Sequence, residues 1–123
     1  MNPVNFDFAR PSTVPEVIEF LQDDARLVKL MAGGQSLGPM LNIRLVQPDL
    51  IVDLTGIRDL RNFVDRKNEI VIGSCITHAD IEDCRVPDVT RGALPYVANG
   101  IAYRAVRNRG TLGGSLTHAD PSA

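Results

Sequence analysis

Apolar positions change rhythm along this chain, and the changes mark out its elements. Phe6-Asp7-Phe8 alternates and runs into Arg10-Pro11, which predicts a short strand ended by a proline. Thr13-Val14-Pro15-Glu16 has the form of a capping box, with Pro15 tolerated in the first helical turn. Val14, Val17, Ile18 and Leu21 follow at i, i+3, i+4 and i+7, one apolar helix stripe, and Asp23-Asp24 breaks it. Leu27-Val28-Lys29-Leu30-Met31 reads as a second strand running straight into Ala32-Gly33-Gly34. Leu37, Met40, Leu41 and Ile43 predict a short helix whose N-terminus lies at Gln35-Ser36. Leu50-Ile51-Val52-Asp53 is a third strand, bounded by Gln47-Pro48 and Thr55-Gly56. This stretch is βαβαβ in outline and predicts a small parallel sheet.

Beyond it the pattern alters. Phe63-Val64-Asp65 and Glu69-Ile70-Val71-Ile72-Gly73, joined by Arg66-Lys67-Asn68, predict an antiparallel hairpin. Thr77-His78-Ala79-Asp80 opens another capped helix, expected to contain Ile81 and Cys84 and to stop near Pro87. Val89 to Val97 reads as helical despite Pro95, and Ala102 to Val106 as a further turn. A boundary near residues 55 to 61 separates the halves, giving units of 1–57 and 58–123. The fold class that follows is α+β, a small N-terminal βαβαβ subdomain followed by part of a larger α+β subdomain.

Composition narrows the function. A chain of 123 residues with 44% hydrophobic and 23% charged positions is ordinary for a soluble globular domain. Net charge is −2 with no basic block, which argues against nucleic acid and anionic membrane surfaces as partners. No apolar run approaches the ~20 residues needed to span a bilayer. Met1-Asn2-Pro3-Val4-Asn5 lacks a basic start followed by an apolar stretch, so the expected location is cytoplasmic. Cys75 and Cys84 form no C-x-x-C, and His78 and His118 fall in no ligand spacing. They read as ordinary thiols and imidazoles; any metal is expected on a partner.

Two segments share one form: Ala32-Gly33-Gly34-Gln35-Ser36-Leu37 and Thr111-Leu112-Gly113-Gly114-Ser115-Leu116. Paired glycines let a ligand approach backbone N–H groups, and a hydroxyl or amide side chain follows that can add a hydrogen bond. One such loop suits a phosphate, and two could hold both phosphates of a dinucleotide. Neither fits G-x-G-x-x-G or G-x-x-x-x-G-K-[ST], which disfavours the standard dinucleotide fold and the ATP-type loop. The first follows a strand end, where open α/β sheets bind ligands.

The first segment, together with Arg107-Asn108-Arg109-Gly110-Thr111-Leu112-Gly113-Gly114-Ser115-Leu116-Thr117-His118-Ala119-Asp120-Pro121, resembles the FAD-binding medium subunit of the molybdenum hydroxylase family. That family includes carbon monoxide dehydrogenase-like and xanthine dehydrogenase-like enzymes. Leu50-Ile51-Val52-Asp53-Leu54 also falls where the family has it, and the resemblance covers essentially the whole chain. It implies a FAD-binding fold of the molybdopterin dehydrogenase type, with FAD held between the two subdomains. It further implies a large molybdopterin subunit and a small subunit with [2Fe–2S] clusters as partners, which feed electrons to the flavin for NAD, oxygen or a quinone.

Carried onto these positions, the resemblance implies that Ala32, Gly33, Gly34, Gln35, Ser36 and Leu37, with Thr111, Leu112, Gly113, Gly114 and Ser115, meet the FAD pyrophosphate. No catalytic residue and no metal ligand is implied on this chain. Asp120 lies in the His-Ala-Asp-Pro stretch on the flavin side; it and His118 also fit a turn that fixes the loop after Gly114. Arg107 and Arg109 fit either neutralisation of the diphosphate or pairing with surface carboxylates. Family members run to more than twice this length, which implies a fragment or truncated product whose remainder is a further partner. The alternative is a non-catalytic remnant or nucleotide-binding module that no longer holds flavin.

Overall fold

The computed structural model describes residues 5–119. Two compact units divide the chain between Arg58 and Asp59.

The first unit is a three-stranded parallel sheet in the order β1-β3-β2, built from β1 (Asp7–Ala9), β2 (Val28–Met31) and β3 (Leu50–Asp53). The central strand pairs on both edges: Phe8 lies opposite Ile51 in β1, and Met31 opposite Asp53 in β2. Every residue of β3 is buried, as its uninterrupted apolar run requires of a central parallel strand. Leu41 and Ile51 form the core, with Phe6, Met31 and Leu37 packed against them. Two helices connect the strands, α1 (Val14–Leu21) and α2 (Leu37–Asn42). Thr13 caps α1: its Oγ1 accepts the Glu16 amide at 3.4 Å and donates to Glu16 Oε1 at 3.0 Å. The capping box expected there is only half made: Thr13 caps the Glu16 amide, but the Glu16 carboxylate bonds the Thr13 hydroxyl instead of the Thr13 amide.

The second unit opens with the expected antiparallel hairpin, of β4 (Phe63–Arg66) and β5 (Glu69–Ile72), in which Arg66 pairs with Glu69 and leaves only Lys67-Asn68 as the turn. Four short helices follow, α3 (His78–Glu82), α4 (Ala93–Asn99), α5 (Arg104–Arg107) and α6 (Leu112–His118). Their core is Ile76, Ile81, Val86 and Ala98. Thr77 closes a full capping box on α3, accepting the Asp80 amide at 3.1 Å while Asp80 Oδ2 accepts the Thr77 amide at 3.2 Å.

Three expectations shift here. Cys84 lies outside α3, because the chain leaves the helix after Glu82 and Cys84 adopts a left-handed φ of 55°. The helix expected from Val89 begins at Ala93, because the Asp88 carboxylate gathers the amides of Thr90 and Gly92 into a turn first. The second glycine segment, expected as a loop, is the opening of α6, with Gly113 and Gly114 in its first turn.

Candidate functional site

The first glycine segment is an open loop. Strand β2 delivers the chain into it, and α2 starts immediately beyond. Gly34 sits at φ +72°, a left-handed conformation that a residue with a Cβ adopts only under strain. A Cβ there would meet Met31 Sδ at 3.5 Å, an ordinary contact, so conformation rather than space demands the glycine. The loop is braced from within: Gly38 N–H donates to Gly34 O at 2.9 Å, and Gln35 Nε2 donates to Gly33 O at 3.2 Å. The amides of Gly33, Gly34, Gln35, Ser36 and Leu37 have no acceptor among the described residues. Ser36 occupies the N-cap position of α2, yet its hydroxyl makes no cap bond. Five successive amide donors and an uncommitted hydroxyl form a surface suited to an anion with several oxygens.

The second segment differs. Its amides are committed inside the protein: Leu112 to Ile76 O at 2.9 Å, Gly113 to Ser74 O at 2.8 Å, Gly114 to Thr111 Oγ1 at 3.0 Å, and Ser115 to Thr111 O at 3.1 Å. Gly113 is required by close packing, since a Cβ there would lie 2.7 Å from Ser74 Cβ and 2.8 Å from Ser74 O. Thr111, 3% exposed, caps α6 and forms an isolated antiparallel bridge with Thr77, the cap of α3. The segment thus presents side-chain rather than amide donors, above all the hydroxyl of exposed Ser115.

That hydroxyl lies 2.8 Å from Nε2 of His78. His78 is 4% exposed, and its burial lowers its pKa from the ordinary 6.5, which favours a neutral ring. The amino-acid sequence offers His78 only as an ordinary imidazole, because no local spacing ties residue 78 to residue 115. The available signal was a histidine among Ile76, Ala79 and Ile81, at the start of a capped helix.

The arginines separate. Arg107 donates to Glu82 Oε1 at 3.0 Å and to the carbonyls of Ile101 and Ala102, the surface-pairing alternative. The Arg109 side chain has no carboxylate partner among the described residues. Arg104 joins Glu82 to Asp83 and holds the Asp83 carboxyl down at about 2, with Arg85 adding to the effect. His118 ends α6, and Asp120 lies outside the described residues. No group of three or more His, Cys, Asp or Glu that could hold a metal occurs among the described residues. Nor, among them, is any helix long and apolar enough to cross a membrane.

The sequence profile described as FAD binding domain in molybdopterin dehydrogenase matches residues 4–123. The chain is 37% identical to 6-hydroxypseudooxynicotine dehydrogenase complex subunit alpha of Paenarthrobacter nicotinovorans, covering 100% of this chain and 42% of that one. It is 34% identical to the carbon monoxide dehydrogenase medium chain of Hydrogenophaga pseudoflava, over 98% of this chain and 42% of the relative. Among solved structures, quinoline 2-oxidoreductase of Pseudomonas putida 86 superposes with a TM-score of 0.90 at 40% identity, covering 100% of this chain and 43% of that one. The chain thus spans about two fifths of the length of these relatives. On its matched profile, and with the fold those structures share, the chain belongs to the family of FAD-binding domains of molybdopterin dehydrogenases.

Proposed function

We propose that this chain is the FAD-binding portion of the flavin subunit of a molybdenum-containing hydroxylase. In that role it passes electrons from [2Fe–2S] clusters on a small partner subunit to an external acceptor, while a large partner subunit carries molybdopterin and oxidises the substrate. The observation that carries the reading is the run of unpaired amides from Gly33 to Leu37, in a chain whose family profile is an FAD-binding domain. FAD, when bound, supplies a two-electron carrier that also exchanges single electrons.

The chain's own residues bind and orient. Ala32 to Leu37 offer amide donors and the Ser36 hydroxyl to phosphate oxygens, and Gln35 holds the loop in shape through Gly33 O. Thr111 to Ser115 form the second diphosphate segment, in which Thr111 fixes the turn and Ser115 supplies the exposed donor. Asp120 is assigned to the flavin side on the family motif alone. The two units serve as the N-terminal and second FAD-binding subdomains, and the location is the cytoplasm.

FAD titration into the chain, followed by flavin absorbance and fluorescence, tests this reading. Saturable binding of FAD in preference to FMN is the expected result, because two separated phosphate segments suit a diphosphate. If the chain extended to the length of its relatives folds and still takes up neither flavin, the alternative holds, a remnant that keeps the fold without the cofactor.

A further inference from the structure

His78 reaches the second glycine segment from α3 and is held at both ends. Its backbone N–H donates to Gly110 O at 2.9 Å, and Nε2 lies 2.8 Å from Ser115 Oγ. The ring packs closely on Gly110, where a Cβ would approach His78 Cδ2 to 3.1 Å. Ser115 therefore stands between a buried imidazole and solvent, with one proton to give and two places to accept.

The tautomer of the ring decides which way that proton points. If Nε2 accepts, Ser115 spends its proton inward and shows an approaching anion only lone pairs. If Nε2–H donates, the Ser115 proton turns outward. The neighbouring charges are otherwise engaged: Asp80 with Arg85 and Thr77, Glu82 with Arg104, Arg107 and Asn99. Burial is what acts on the imidazole, favouring its neutral form and leaving the tautomer choice open.

We propose that His78 is a positioning residue for the diphosphate: its Nε2–H donates to Ser115 Oγ and so releases the Ser115 O–H toward a phosphate oxygen. This rests on the reading of Thr111 to Ser115 as a segment that meets FAD. The committed amides of residues 112–115 make that hydroxyl decisive, since they leave a ligand little else to bond here.

The test uses the chain labelled with nitrogen-15 in its two histidines, with His118→Gln to assign the signals, and FAD as the probe. With FAD bound, the His78 ring proton is expected on Nε2. His78→Gln, whose amide can donate to Ser115 from nearly the same place, retains binding within about threefold, whereas His78→Leu and Ser115→Ala each weaken it about tenfold. The double variant His78→Leu with Ser115→Ala binds no more weakly than either single one, because both remove the same donor. A proton on Nδ1 in the FAD-bound chain, or additive losses in the double variant, overturns the proposal while the diphosphate reading stands. A folded chain that binds no FAD even when extended to the length of its relatives removes the diphosphate reading and this proposal with it. The ring spectrum and the glutamine variant remain decisive if the leucine variant fails to fold.

Discussion

Thr77 and Thr111 cap different helices and pair with each other through an isolated antiparallel bridge. Each side chain accepts the amide three residues on, so α3 and α6 start from one shared point. The glycine segment is thereby tied to the hydrogen-bonding of α3 rather than left as an independent loop.

Thr111→Val keeps the shape of the side chain and removes the acceptor for the Gly114 amide. A lost cap of this kind costs about 1 kcal/mol, and the same change at Thr77, which also breaks a capping box, about as much. Thermal unfolding of each variant gives the measurement. Melting temperatures equal to the wild type would show that the caps contribute nothing.

Gly113→Ala and Gly38→Ala should move stability in opposite directions. At Gly113 the added methyl meets Ser74 Cβ at 2.7 Å and Ser74 O at 2.8 Å, so backbone must shift at a cost of about 1–3 kcal/mol. At Gly38, inside α2, nothing lies within 4 Å, and alanine should stabilise by about 0.5–1 kcal/mol. Denaturant melts of both variants decide the matter, and a stabilising Gly113→Ala would contradict the packing described.

Gly34→Val should abolish FAD binding, whereas Ser36→Ala should weaken it only about two- to tenfold. The first change opposes a φ of +72° on which the orientation of five amides depends. The second removes one neutral hydroxyl bond, worth about 0.5–1.5 kcal/mol. Titration of FAD into each variant ranks them. If Ser36→Ala is the worse, the backbone is not the cradle.

Stability should fall with acid in two separate steps. Burial lowers the His78 pKa below 6.5, so the unfolded chain takes up this proton first and stability declines as pH drops below about 6.5, until the native ring also protonates. Asp80, Glu82 and Asp83 have lowered values, so their contribution is present above the ordinary carboxylate range and is lost as pH falls through the folded values, down to about 2 for Asp83. Melting temperature against pH for wild type and His78→Gln separates the steps. The variant should lose the upper decline and keep the lower, and an unchanged upper decline would remove His78 as its source.

The parallel sheet was legible in the amino-acid sequence because its signals are local. An apolar run such as Leu50 to Val52 is compatible with few environments other than a central strand, and the hairpin of β4 and β5 announces its own turn. The first glycine segment was legible for the same reason, since Gly34 follows a strand end and needs a left-handed φ. Periodicity promised more than was delivered in α1, where Val17 is buried but Val14, Ile18 and Leu21 are 39–49% exposed. Three strands of three or four residues offer too small a face to cover a two-turn stripe. What only the tertiary structure decided is the difference between two segments written almost alike. Gly33-Gly34 leaves its amides open, whereas Gly113-Gly114 spends its own on Ser74 and Thr111, because Ser74 and Ile76, distant in sequence, are packed against it. The approach of His78 to Ser115 has the same origin: hydrogen bonds between residues far apart along the chain leave no period in it.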